Sequence, residues 1–355
     1  MMVKKGELME KVFASPMTYR QGENVLWNHL TDILAFGQKG VVVTDRFVYQ
    51  MIGERLVNEL TKLGGEITVW LIEEERKERD FDYVVALGGG RGIDLGKAWA
   101  FETKSRCIVV PTAASTDAPT SRISVEYQDG HFEKYSYYSQ NPDLVLVDTG
   151  ILIQSPVQFL IAGIADGLST FVEARTVQIN AGVNTLGARP TLAAQAIAEK
   201  CRDVLIEYAE MAVEANQQQK ITPAFEAVVE ANILLSGIGF ESGGLSIAHA
   251  LHNGMVSLWG NELKASHGQI IALTTLQQLQ IEGRKAEFLR YRELFEKLGL
   301  PCIYESLNLF PTMEELEKVT ELAFSAADGI VRSQSPATPV DVYQSLLSFR
   351  KTREI

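Results

Sequence analysis

Five histidines occur in the 355-residue chain, and three of them fall between positions 249 and 267. His249 and His252 stand three apart in SIAHALHNGM, a segment with helical spacing, so they share one helix face. His267, followed by Gly268, comes eighteen residues after His249, beyond a loop containing Trp259-Gly260-Asn261. A matching carboxylate is Asp166, set in the apolar run Leu160-Ile161-Ala162-Gly163-Ile164-Ala165-Asp166-Gly167-Leu168. An ionised aspartate in such company is costly to bury without a counter-charge, and a divalent cation supplies one. One carboxylate and two imidazoles leave positions open on zinc or ferrous iron for a substrate oxygen. Each residue also has an ordinary reading. A helix histidine is more often packed than ligating, Asp166 could cap a helix or face solvent, and no HExxH run is present.

A second chemical signal is Leu87-Gly88-Gly89-Gly90-Arg91-Gly92-Ile93-Asp94, placed after an apolar strand and at the start of a helix. Glycine lets a backbone approach phosphate closely, and a helix N-terminus offers unpaired N–H groups. The pattern is GGGxxxD, neither the GxGxxG fingerprint nor a Walker loop. Asp94 would cap the helix or point toward a ligand. Asp45 ends the strand Gly40-Val41-Val42-Val43-Thr44-Asp45, where open α/β sheets bind ligands. A carboxylate there accepts from ribose hydroxyls and repels a 2′-phosphate, which favours NAD over NADP, while Arg46 leaves some room for NADP; Asp45 could equally serve as a surface cap for the helix that follows. The loop Pro111–Ser121 carries Thr112, Ser115, Thr116, Thr120 and Ser121, small hydroxyls suited to phosphate or ribose but common in loops generally.

The elements that must position these groups divide in two. Apolar, β-branched runs at 40–45, 67–72, 83–87, 107–110 and 144–148 alternate with helical patterns, which predicts a parallel α/β sheet covered on both faces. A hairpin is expected from ISVEY and HFEKY with Gln128-Asp129-Gly130 as its turn. Only EEERKERDFD separates the strands at 67–72 and 83–87, whereas a parallel crossover normally needs a helix. From about residue 156 the periodicity is helical, so the expected division is a nucleotide-binding α/β domain over 1–155 and an all-α metal- and substrate-binding domain over 156–355. A net charge of −12 argues against nucleic acid as a partner. Three dispersed cysteines suggest no disulfide framework, and neither a secretory signal nor a run of about 18 apolar residues is evident, so the expected location is the cytoplasm.

The runs GGGxxxD, PTAASTDAPTS, NPDLVLVDT, GIADGLSTFVEAR, GFESGGLSIAHALHNG and SHG stand in an order that resembles the glycerol dehydrogenases. These belong to the iron-containing alcohol dehydrogenase superfamily, whose fold dehydroquinate synthase shares. The resemblance extends from about residue 12 to at least 300. It implies metal ligation by Asp166, His249 and His267. Cofactor contacts would fall on the glycine turn (Gly88, Gly89, Gly90), Asp45, Asp94, Thr112, Ser115, Ser121, Ile123, Val125 and Tyr127. Asp117 would lie beside the bound polyol, His252 near nicotinamide and substrate, and Phe240 at the pocket's border. The implied reaction is reversible, NAD-linked, metal-assisted oxidation of glycerol or a related vicinal diol, in a homo-oligomer. The chain departs from the pattern in lacking the helix before YVVAL, in Arg91 and Arg122, in HGQI where HGEK is usual, and in lacking a C-terminal TIHN. Those departures leave two alternatives. One is a different hydroxycarbonyl or phosphorylated substrate, the latter disfavoured because no basic cluster flanks the ligands. The other is a paralogue that binds metal and nucleotide without turnover.

Overall fold

The computed structural model describes residues 10–76, 80–128, 131–325 and 329–350. Six strands form one parallel sheet: β1 (Thr18–Gly22), β2 (Lys39–Thr44), β3 (Glu66–Leu71), β4 (Tyr83–Gly88), β5 (Arg106–Pro111) and, after a separate hairpin, β8 (Leu144–Asp148). Their order is β1-β8-β5-β4-β2-β3. The apolar runs lie at its centre because both faces of a parallel sheet are covered: Val41, Val42 and Val43, Val84 and Val85, and Ile108, Val109 and Val110 are fully buried. β1 was not among the expected strands. Its sequence TYRQG has no apolar run, and its strand state comes from pairing along one edge with β8, from Thr18 opposite Leu144 to Gly22 opposite Asp148.

The short connection is real. β2 lies between β3 and β4, and the described residues between them, 72–76 and 80–82, form no helix. Aromatic packing covers part of the sheet there. Trp70 and Phe81 each meet Trp99 edge to face, at centroid distances of 4.8 and 5.3 Å, and the Arg76 guanidinium lies 5.6 Å from the Trp99 ring. The expected hairpin forms from β6 (Ile123–Gln128) and β7 (His131–Tyr137), paired antiparallel with Val125 opposite Tyr135. Asp129 and Gly130 of its turn, and the side chain of Tyr127, lie outside the described residues.

Beyond residue 156 the described chain is helical. The helix Val157–Ile179 carries Asp166; Ile247–Trp259 carries His249 and His252; and His267 opens His267–Ile281. Two helical stretches, Val157–Ile179 and Pro223–Gly243, are long and apolar enough to cross a membrane by length and composition, but 72% and 61% of them is buried inside the fold. Their apolarity is that of core helices.

Contact between the first and third of these helices is backbone to backbone. A Cβ built on Gly268 would stand 2.1 Å from the Ala162 carbonyl oxygen. Gly268→Ala must therefore push apart the two helices that carry Asp166 and His267. Thermal unfolding should report a loss of about 1–3 kcal/mol, the usual range for overpacking. An unchanged melting temperature would contradict this packing.

Candidate active site

Asp166 is 1% exposed and fixed in mid-helix, so its carboxylate can reach only what neighbouring helices bring to it. Two imidazoles arrive. His267 Nε2 is 3.1 Å and His249 Nε2 3.7 Å from Asp166 Oδ1, and one ligand atom from each of the three residues lies within 4.8 Å of the others. The other oxygen, Asp166 Oδ2, is buried without a hydrogen-bond partner. Such an orphaned oxygen beside two converging ring nitrogens fits a cation held by these three residues.

Each histidine is oriented from behind. The Glu173 carboxylate, fully buried two helical turns beyond Asp166, accepts from His249 Nδ1 at 2.5 Å through Oε2. Its Oε1 accepts from the backbone N–H groups of Ser246 and His249 at 2.8 and 3.0 Å, capping the helix Ile247–Trp259. One carboxylate thus both starts the helix and sets the ring of His249. Sequence reading missed Glu173, although its spacing of seven from Asp166 was a usable signal. His267 is the first residue of a helix capped by Ser266 and Gln269 through a reciprocal pair of hydrogen bonds. Gln269 of the departing HGQI run therefore has a structural task. His267 Nδ1 lies 2.9 Å from His252 Nε2, and His252 Nδ1 lies 3.0 Å from Asn253 Oδ1.

The electrostatics of this cluster favour an added positive charge. Burial pushes Asp166 up to about 6 against the pull of His249. Burial and then the charge of Asp166 push Asp117 up as well. Burial alone would lower His249, but the charge and hydrogen bond of Glu173, aided by Asp166 and Asp117, bring it up to about 9. Burial and the charge on His249 lower His267 to about 3, so its ring is neutral at physiological pH, as a ligand requires. Asp117 belongs to the same cluster: Ser236 donates to its Oδ2 at 2.8 Å and is itself 2.9 Å from Thr170.

On the sheet side, Gly88 ends β4 at φ +151°, a conformation that favours glycine, and Gly89 caps the helix Gly90–Thr103. Thr112 donates its backbone N–H to the Gly88 carbonyl at 3.0 Å, and a Cβ on Gly90 would lie 3.5 Å from Thr116 Oγ1, so the hydroxyl loop borders the glycine turn. Ser115 is partly exposed on that loop, whereas Ser121 is buried. Asp45 accepts from the Val48 N–H at 2.8 Å and caps residues 46–48, with its second oxygen toward Gly88. Asp94 does not cap its helix. Its carboxylate accepts from the Val125 N–H at 3.2 Å and pairs with Lys97 at 3.0 Å. Lys97, 3% exposed, also donates to the carbonyls of Ala118 and Ile123, tying the hydroxyl loop and hairpin to the helix. Phe240 packs with Ile123 and Leu245, with Tyr135 alongside. Arg122 is turned to the Asn141 side chain, the Ser139 carbonyl and Glu241, so its guanidinium braces the loop before β8.

The model of the family described as "Iron-containing alcohol dehydrogenase" matches residues 16–149. The chain is 37% identical to a glycolaldehyde reductase of Halobacterium salinarum, over 96% of this chain and 97% of that one. It is also 37% identical to a glycerol dehydrogenase of Thermotoga maritima, over 93% and 94%. The crystal structure of glycerol dehydrogenase from Schizosaccharomyces pombe superposes with a TM-score of 0.91 at 33% identity, covering 96% of this chain and 90% of that one. Likeness at that identity over nearly the whole of both chains means that this protein belongs to the iron-containing alcohol dehydrogenase family.

Proposed function

We propose that the protein is an NAD-linked, metal-assisted dehydrogenase that interconverts a small vicinal diol, glycerol foremost, with its hydroxycarbonyl partner. The observation that carries this reading is the buried Asp166–His249–His267 cluster with Asp117 beside it and an orphaned aspartate oxygen. The basic side chains within ion-pair distance of Asp166 among the described residues are the two histidines, and lysine and arginine are not among them. A phosphorylated substrate would need such a cation; a neutral polyol does not.

The family implies a nicotinamide cofactor and a divalent metal; our reading is NAD and zinc, with ferrous iron as the alternative. A cation held by Asp166, His249 and His267 would polarise the alcohol oxygen and lower its pKa. Asp117, fixed by Ser236, would accept or donate a hydrogen bond at a substrate hydroxyl, and Phe240 would border the pocket. Gly88, Gly89, Gly90, Asp94, Thr112, Ser115, Ser121, Ile123, Val125 and Tyr127 make up the proposed cofactor surface, with Asp45 at the adenosine ribose. Two contacts favour NAD over NADP at that ribose. Glu74 pairs with the Arg46 guanidinium at 3.1 Å and Glu73 takes the Arg46 N–H at 3.3 Å, surrounding Asp45 with acidic groups. The oxidation removes a hydride from the carbinol carbon and a proton from its oxygen, and the site must exclude water from the hydride path. A cytoplasmic homo-oligomer with domains meeting near residue 155 completes the proposal.

The test is initial-rate turnover with glycerol, 1,2-propanediol and ethylene glycol as alcohols, and dihydroxyacetone and glycolaldehyde as carbonyls. Activity should prefer NAD(H) to NADP(H), vanish on chelation and return with zinc or ferrous iron. Because one relative is a glycolaldehyde reductase, reduction of glycolaldehyde faster than any diol oxidation would assign that physiological direction. No turnover in either direction, with metal bound stoichiometrically, would sink the dehydrogenase reading.

A further inference from the structure

A continuous path of close polar contacts leaves the candidate metal site and ends on the hairpin, hydrogen-bonded from His267 onward. From Asp166 it runs through His267 to His252 Nε2 (2.9 Å), from His252 Nδ1 to Asn253 Oδ1 (3.0 Å), and from Asn253 Nδ2 to the Tyr135 hydroxyl (2.9 Å). Tyr135 lies on β7 opposite Val125, whose N–H donates to Asp94 on the glycine-turn helix. We propose that His252, Asn253 and Tyr135 are positioning residues that fix the ring of His267 and tie it to the β6–β7 hairpin. The metal centre and the nucleotide-side hairpin then move as one unit.

Three observations carry this. First, both ring nitrogens of His252 are engaged within a shell that is 2% exposed at His252 and 5% at Asn253, so its ring is committed to its neighbours. Second, His267 needs outside support. Its side chain is 28% exposed against 10% for His249, and it starts its helix. His249 has the Glu173 carboxylate for this purpose, and His267 has only His252 at its Nδ1. Third, the donor sequence is consistent. With His267 Nε2 turned to Asp166 and open to a cation, Nδ1 carries the proton and donates to His252 Nε2. His252 Nδ1–H then donates to Asn253 Oδ1, and Asn253 Nδ2–H to Tyr135. Partners of this kind behind metal-ligating histidines set ring orientation and ligand basicity.

The inference rests on the metal and cofactor reading above, and its test separates the two. The full-length protein is loaded with zinc against a chromophoric chelator, and with cobalt(II) for its visible spectrum. Asn253→Ala should weaken zinc by about tenfold, at the lower end for outer partners of metal ligands, and shift the cobalt bands. Asn253→Asp, whose carboxylate still accepts from His252 and from the Tyr135 hydroxyl, should keep both readouts close to the parent. Tyr135→Phe leaves His252 its acceptor and removes the hydroxyl that links Asn253 to the hairpin. In the parent, saturating NADH should change zinc affinity, and in Tyr135→Phe that coupling should disappear, by linkage. Zinc affinity and cobalt bands of Asn253→Ala that match the parent would overturn the positioning role. Coupling retained in Tyr135→Phe would overturn the hairpin link, and that variant tests the idea even if Asn253→Ala does not fold. Failure of the dehydrogenase reading would look different: no turnover by the parent protein while these metal readouts behave as described.

Discussion

Asp166→Asn should lose at least about a thousandfold in kcat/KM, equivalent to about 4 kcal/mol of transition-state stabilisation, while the fold survives. The substitution keeps size and shape but removes the carboxylate toward which the His249 and His267 imidazoles both point. It also relieves a cost. Burial raises Asp166 above its ordinary value, so above that raised pKa the ionised group opposes folding, and below its ordinary value it contributes nothing. Zinc-stripped Asp166→Asn should therefore melt no lower than the zinc-stripped parent at pH 8, and nearby Asp117 should lose the charge that helps to raise it. The parent should gain melting temperature on adding zinc, because a ligand bound only by the folded state stabilises it, and the variant should not. Calorimetry with and without zinc checks all three. A variant that keeps its zinc-induced rise would remove Asp166 from the ligand set.

Glu173→Gln is the second large effect, through a residue that would touch neither metal nor substrate. The carboxylate holds one ring nitrogen of His249 and two backbone N–H groups at the start of its helix. Glutamine keeps the length, yet its amide NH2 must face either the imidazole Nδ1–H or the two backbone donors, so at least one buried hydrogen bond is lost whichever way it turns. The negative charge that raises His249 and makes it a better ligand is lost as well. Zinc affinity should fall by about a hundredfold, the upper range for such carboxylate–histidine pairs, and activity should recover in part at high zinc. Recovery at high zinc separates this variant from a ligand replacement. Equal zinc affinity in parent and variant would show that Glu173 only caps the helix.

Much of this site could be read before any fold was known, for identifiable reasons. Asp166 stands out because an acidic side chain within an apolar helix needs a partner, and histidines are scarce enough here for a cluster between 249 and 267 to be noticed. The glycine turn shows because only glycine readily accepts the φ of +151° found at Gly88. The connection after β3 was visible as an anomaly, too short for a helical crossover. Its consequence was not visible, because Trp70, Phe81 and Trp99 lie on three separate elements and meet only when the sheet is assembled.

Other residues changed meaning with the fold. Glu173 reads as one more charged helix residue until the helix Ile247–Trp259 docks its N-terminus on it. Arg122, a departure from the family pattern, is drawn to Glu241, Asn141 and Ser139. Gln269 replaces a family glutamate without loss of the capping geometry, because either side chain can accept from the N-cap N–H. β1 is a strand because β8 offers it an edge.

By itself, the order of residues determined the parallel core strands, the glycine turn, the helical second half, and one aspartate and a cluster of three histidines as candidates to hold a metal. These follow from local periodicity, backbone permissiveness and the cost of burying a lone charge, all of which act over short stretches of chain. Tertiary structure alone decided that Glu173 stands behind His249, that His252 faces His267, and that the hairpin reaches the site through Tyr135 and Asn253. Those are hydrogen bonds between groups up to 118 residues apart. Their angles and distances are set by how whole helices pack, and no local pattern encodes that.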